Sequence, residues 1–181
     1  MTTITEQRDG VGLKVNFVML DIYNFTVVAV PTEDLYRTDE GDVVLDAEGL
    51  PMINPRKDVE RYYVAGPMTG YDKWNFPAFD AARNKLLARG IQVISPADLD
   101  RLRGVNEDTP PEDFPPDAFV TAMKIDAYAS LQCTGMFFLK GWENSTGARN
   151  EMSWCQAWGL KKVFDNDANR GSVQISAVCD V

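Results

Sequence analysis

The chain has 181 residues, 45% of them hydrophobic, and sets 18 basic side chains against 27 acidic ones for a net charge of -9. That length suits one domain with an appendage, and the charge disfavours bulk binding to a DNA or RNA backbone while leaving room for a pocket that holds one small anion. Histidine is absent, which removes Ser-His-Asp and Cys-His nucleophile pairs, imidazole metal sites and histidine proton shuttles, so acid–base chemistry falls to carboxylates, Tyr, Lys or Cys.

Three cysteines, Cys133, Cys155 and Cys179, are odd in number and widely spaced. They fit neither a disulfide framework nor a metal cluster, and neither a metal nor another cofactor is expected. No apolar run approaches the ~20 residues that span a bilayer, and no basic-then-apolar segment opens the chain. No membrane partner and a reducing cytoplasmic location are the expectations.

Residues 1–12 are polar. Residues 13–30 are rich in Val, Phe, Ile and Tyr, and Asp39-Glu40-Gly41-Asp42 and Asp46-Ala47-Glu48-Gly49 read as turns between short extended segments. Residues 1–57 therefore read as a β-rich appendage, a meander ending near Asn54-Pro55, and residues 58–181 as an α/β domain. Tyr62-Tyr63-Val64-Ala65 is an apolar strand closed by Gly66-Pro67-Met68-Thr69-Gly70. Phe76, Phe79, Ala82, Arg83, Leu86 and Leu87 then follow helical spacing up to Gly90, placed as a C-terminal cap.

Residues 91–95 form the next predicted strand, halted by Pro96, and residues 97–116 read as a proline-rich surface loop of the kind that often covers a site. Pro116 and Asp117 suit the first turn of a helix with Phe119, Ala122, Met123, Ala127 and Leu131 on one side and Asp126 beside them. Gly135-Met136-Phe137-Phe138-Leu139 is a short apolar run that reads as a strand covered on both faces. Ser145 or Asn144 can cap a following helix whose inward stripe is Ala148, Met152, Cys155 and Trp158. Glu151 borders that stripe, three residues after Ala148 and four before Cys155. It fits a solvated edge or a first-turn cap as well as a carboxylate turned inward. Lys161-Lys162-Val163-Phe164 is a further strand, and residues 172–178 are a last extended piece.

Strands alternating with helices across residues 61–164 predict a Rossmann-like (flavodoxin-like) α/β fold, a mainly parallel sheet of four to five strands with helices on both faces. Ligands of such sheets bind beyond the carboxyl ends of the strands. That end gathers residues 66–70, Asp98 and residues 142–147, with Glu151 one turn into the last helix and Asp126 able to approach.

The motifs Tyr63-Val64-Ala65-Gly66-Pro67-Met68-Thr69-Gly70, Asn75-Phe76-Pro77, Asp126 and Gly141-Trp142-Glu143-Asn144-Ser145, with Gly147-Ala148 and Glu151, resemble the nucleoside 2-deoxyribosyltransferase superfamily. The closest likeness is to a bacteriophage-associated branch with the same Gly-Pro-Met-Thr-Gly and Gly-Trp-Glu-x-Ser signatures, over roughly residues 61–165. Relatives usually carry Asp after the Cys that precedes the third strand, where this chain has Cys133-Thr134.

The resemblance implies cleavage of an N-glycosidic bond between a base and a ribose or deoxyribose. Glu151 matches the family's nucleophile, Asp126 the Asp that helps protonate or bind the leaving base, and Tyr63 the Tyr that orients the nucleophile. Gly66, Pro67, Met68, Thr69, Gly70, Asp98, Trp142, Asn144, Ser145 and Gly147 form the expected substrate-binding set. Tyr63 also fits plain packing, Trp142 fits a core position as well as stacking on a base, and Asp98 fits a cap as well as a sugar contact.

Ser145 stands where the family's nucleoside transferases place Asp to hold a sugar hydroxyl and its nucleotide hydrolases place Ser to hold the 5′-phosphate. An Asp would repel a phosphate, whereas a Ser at a helix N-terminus accepts one; the same Ser also suits simple capping. Arg149 is available to add charge. The expected activity is hydrolysis of a (deoxy)nucleoside 5′-monophosphate to free base and sugar 5-phosphate, with base exchange between nucleosides and sequestration without turnover as alternatives. The expected partner is a small nucleotide or nucleoside, and the expected assembly is a homo-oligomer with shared active sites, in the host cytoplasm if phage-encoded.

Overall fold

Four apolar segments separated by helix-length spacers can bury their backbone polar groups together only by pairing as parallel strands beneath helical covers. The computed structural model describes residues 7–8, 14–15, 18–21, 26–45, 47, 52, 59–114 and 116–165. In chain order the strands are β1 (Gln7–Arg8), β2 (Lys14–Val15), β3 (Val18–Asp21), β4 (Thr26–Ala29), β5 (Arg61–Ala65), β6 (Gln92–Ile94), β7 (Gly135–Phe138) and β8 (Lys161–Phe164). The α-helices are α1 (Phe76–Leu87), α2 (Pro96–Leu102), α3 (Ala118–Ser130) and α4 (Thr146–Ala157).

The main sheet runs in the order β3-β4-β6-β5-β7-β8. Strands β6, β5, β7 and β8 are mutually parallel, which is the mainly parallel α/β architecture expected from the alternation of elements. Strands β4 and β3, from the segment read as an appendage, extend the same sheet antiparallel at one edge, so it has six strands. Strands β1 and β2 pair separately.

Side chains alternate across the sheet with period two. Tyr62, Val64, Val93 and Phe137 pack on one face with Phe76, Phe79, Ala82 and Leu86 of α1. Tyr63, Ala65, Met136 and Phe138 point to the opposite face, where they meet Ala129 of α3 and Cys155 of α4. That alternation sends Tyr63 toward the helix that carries Glu151. Thr134 closes the entry to β7, its hydroxyl bonding both the N–H and the carbonyl of Arg61 at 3.0 and 3.1 Å.

The predicted α1 face is buried as read from its spacing, and Gly90 adopts the left-handed conformation, φ 74°, that ends the helix. Two readings need correction. Pro96 does not open a loop but occupies the first turn of α2, because its missing N–H falls where a helix has no acceptor to offer anyway. Helix α3 is rotated relative to the predicted face: Phe119 and Leu131 are 56% and 55% exposed, and Asp126, Ala129 and Ser130 are buried. The small side chains of Ala129 and Ser130 fit a close approach to the sheet that Phe119 would prevent. The turn at residues 38–42 forms, with Gly41 at φ 94°. The meander's end near Asn54-Pro55, the extended piece at residues 172–178 and Cys179 lie outside the described residues. Among those described, no helix is long and apolar enough to cross a membrane.

Gly135 lets the Tyr62 ring lie against β7: an added Cβ would sit 2.8 Å from Tyr62 Cε1 and 3.1 Å from the Lys161 carbonyl oxygen. Gly135→Ala is therefore expected to destabilise the fold by about 1–3 kcal/mol in urea unfolding; unchanged stability would contradict this packing.

Candidate active site

Ser145 sets the start of α4. Its backbone is extended and its Oγ accepts the Ala148 N–H at 3.2 Å, an N-cap bond. From that origin, steps of three and four bury Ala148, Glu151 and Cys155 on the sheet side. Glu151 is thus not a solvated edge residue: it is 5% exposed. Burying a carboxylate is costly unless it is bonded or neutralised, and Glu151 receives one protein bond. The Tyr63 hydroxyl donates to Oε1 at 2.9 Å, while Oε2 is buried with no hydrogen-bond partner.

Asp126, on the buried side of α3, lies within interaction reach of the same hydroxyl. A tyrosine has one proton to donate, and two carboxylates compete for it. Burial, then the negative charge of Asp100, push the Asp126 carboxyl up to about 7, against the Tyr63 hydroxyl and Arg103, which favour its ionised form. Burial and then the charge of Asp126 raise Glu151 well above the ordinary carboxylate range, with the Tyr63 bond acting in the opposite direction. Tyr63 itself is raised by burial and by the two acids. Like charges in one desolvated site resist ionising together, so the pair holds a proton under conditions where exposed acids have lost theirs.

Both acids line a cavity of about 1150 Å³ at the carboxyl ends of β5 and β7. Of the expected binding set, Gly66, Pro67, Met68, Thr69, Asn144, Ser145 and Gly147 line it with Asp126 and Glu151. Gly66 leaves no room for a side chain, since a Cβ there would approach Leu139 to 2.7 Å.

Three expected members lie elsewhere. Gly70 is not on the cavity wall; it turns the chain at φ 84°. Asp98 is buried in ion pairs with Arg83, which fastens α2 to α1, and, at 3.2 Å, with Arg101 of its own helix. Trp142 packs on Phe138 and Phe164, with ring centroids 5.2 and 6.0 Å away, and so serves the core. Arg149 also stays off the cavity, donating to the Glu143 carbonyl at 2.9 Å.

Sequence reasoning missed a further part of the cavity wall, formed by Trp74, Asp100, Arg103 and Phe114. Lys73, Trp74 and Asn75 all have positive φ, 51°, 52° and 59°, a costly run for side-chain-bearing residues. The turn is pinned by Asn75 Nδ2 donating to the Pro67 carbonyl at 2.7 Å and Trp74 Nε1 donating to the Thr109 carbonyl at 2.8 Å. Trp74 meets Phe114 at 4.9 Å between centroids. The available signal was Pro96 as a helix start, which places Asp100 and Arg103 one turn apart. No cluster of three or more metal-ligating side chains occurs among the described residues.

The raised Asp126 carboxyl makes stability depend on pH with a definite sign. Between the ordinary value of 3.8 and about 7 the folded state binds the extra proton, so the contribution of Asp126 to stability is greatest below that interval and is lost as pH rises through it. The loss attributable to Asp126 is on the order of 4 kcal/mol between about pH 4 and pH 7. Denaturant unfolding across this range should show a markedly smaller decline for Asp126→Asn; an identical slope in the two proteins would refute the buried proton.

No curated protein and no solved structure matches the chain. Residues 60–164, which contain Tyr63, Asp126, Ser145 and Glu151, match the family described as Domain of unknown function (DUF4406). The chain belongs to that family, and the two acids, their shared tyrosine and the Ser145 cap all fall within the matched segment.

Proposed function

We propose that the protein hydrolyses the N-glycosidic bond of a (deoxy)nucleoside 5′-monophosphate, releasing free base and sugar 5-phosphate. The observation that carries this reading is the buried, unpartnered Oε2 of Glu151 on a cavity shared with a second buried carboxyl, Asp126, the two being raised above the ordinary carboxylate range. The sequence resemblance to nucleoside 2-deoxyribosyltransferases points to the same three residues.

In the first step ionised Glu151 Oε2 attacks the anomeric carbon, the C–N bond breaks, and Asp126 gives its proton to the departing base nitrogen. The transition state has oxocarbenium character, which an adjacent carboxylate stabilises. Tyr63 holds Oε1 and with it the direction of Oε2. In the second step water attacks the glycosyl ester, Asp126 takes the water proton, and Glu151 leaves as carboxylate. The Tyr63 bond favours the ionised form of Glu151 against burial and the charge of Asp126, and the reaction requires substrate binding to complete the division, one acid ionised and the other protonated. The first N–H groups of α4 have no carbonyl of their own helix, and with Ser145 they suit a phosphate at the cavity edge.

Purified protein incubated with a panel of ribo- and deoxyribonucleoside monophosphates should release free base, measured by chromatography. Asp126→Asn should lower the rate about 10²–10⁴-fold, and Tyr63→Phe about 10–100-fold through loss of one bond to a charged group. Ser145→Asp should impair monophosphates more than nucleosides. Base release that persists at full rate in Glu151→Gln would remove the nucleophile, and equal losses on both substrate types in Ser145→Asp would remove the phosphate site. Transfer of the sugar to an added base in preference to water would replace hydrolysis with base exchange.

A further inference from the structure

We propose that Asp100 and Arg103 read the edge of the substrate base, and that the base they fit is a 2-amino-6-oxopurine. This rests on the nucleotide reading of the cavity and adds to it the identity of the base.

Helix α2 divides its charged residues between two tasks. Asp98 and Arg101 are taken up with Arg83, Asp80 and Glu107 in a network that joins α2 to α1 and the following loop, and neither lines the cavity. Among the described residues, the Asp100 and Arg103 side chains pair with each other, Arg103 Nη2 donating to Asp100 Oδ1, and both line the cavity. Their side chains stay 16% and 31% exposed. Among the described residues, Arg103 is the one lysine or arginine on the cavity wall. An ion pair one turn apart at a helix end adds only a few tenths of a kcal/mol to the fold, and nothing in that role requires it to face the cavity. The charges of both residues are felt at Asp126, the acid that serves the leaving base in the proposed reaction.

A carboxylate only accepts hydrogen bonds and a guanidinium only donates them. Side by side they complement an edge that offers donors next to an acceptor. A 2-amino-6-oxopurine presents N1–H and the 2-amino group to the carboxylate together, and O6 to the guanidinium. Adenine and cytosine each offer one exocyclic amino donor beside an acceptor, and uracil or thymine one donor between two acceptors, so none fills both carboxylate oxygens. Trp74 and Phe114 supply an aromatic wall for the plane of the base.

The test measures binding of guanosine, inosine, adenosine and cytidine 5′-monophosphates and their deoxy forms to Glu151→Gln by calorimetry, with turnover by the unsubstituted protein in parallel. Guanosine monophosphate should bind at least about tenfold more tightly than inosine monophosphate, which lacks only the 2-amino group. Adding Asp100→Asn, or Asp100→Ala where the first variant fails to fold, should bring that ratio close to one. A purely structural pair would instead weaken all nucleotides together and leave the ratio unchanged, and that result, or equal binding of the two nucleotides by Glu151→Gln, would overturn the proposal. Selective binding without base release by the unsubstituted protein would sink the hydrolase and keep the base reader. Unselective hydrolysis would do the reverse, and no binding of any monophosphate would overturn both.

Discussion

The hydrogen bond from the Tyr63 hydroxyl to Glu151 joins a central strand to the last helix across 88 positions of sequence, and it is what allows a carboxylate to lie buried at the end of this sheet. Tyr63 has little freedom to be elsewhere. Its strand is paired on both sides, with Ile94 of β6 and Met136 of β7 as its register partners, and its side chain is fully enclosed. The strand period then decides the rest: one residue earlier or later would send the ring into the α1 core with Tyr62 and Val64. A buried acid with one oxygen bonded and the other bare is a poor way to stabilise a fold, and sites of this kind persist where a ligand completes them.

The surrounding structure divides into parts that fix and parts that present. The Arg83, Arg101, Asp80 and Asp98 network fixes α2 against α1, which leaves Asp100 and Arg103 at a defined place on the cavity wall. The left-handed run at Lys73, Trp74 and Asn75 is held at Asn75 by Pro67 and at Trp74 by Thr109. It brings Trp74 from the segment before α1 against Phe114 from the segment before α3. Two stretches far apart in sequence thereby make one aromatic part of the cavity wall.

Much of the site was legible because its residues sit on regular elements with strict periods. Tyr63 follows from strand alternation, and Glu151 from steps of three and four counted from the Ser145 cap. Helix α3 was harder, because Phe119, Val120, Met123, Ile125, Ala129 and Leu131 scatter apolar character around it, so periodicity does not select a face. Asp98 and Asp100 differ by two positions, which on a helix carries a side chain to nearly the opposite side. With Pro96 read as a stop and not as a helix start, no reading of the sequence could say which one met the cavity. Trp142 suited either the core or a ligand, and the rings of Phe138 and Phe164 settled it in favour of the core. Strand β4 joins β3 to the sheet through antiparallel pairing with the distant β6, a contact that local pattern does not encode.

The coupling of Asp126 and Glu151 through Tyr63 is tested most directly by following the two side-chain carboxyl carbons by NMR as pH is raised. Both are expected to titrate above their ordinary values of 3.8 and 4.5, and Asp126→Asn should lower the value for Glu151, because the acid on α3 is the second cause of its shift after burial. A Glu151 carboxyl that titrates near 4.5 and is indifferent to the residue at position 126 would contradict the shared site.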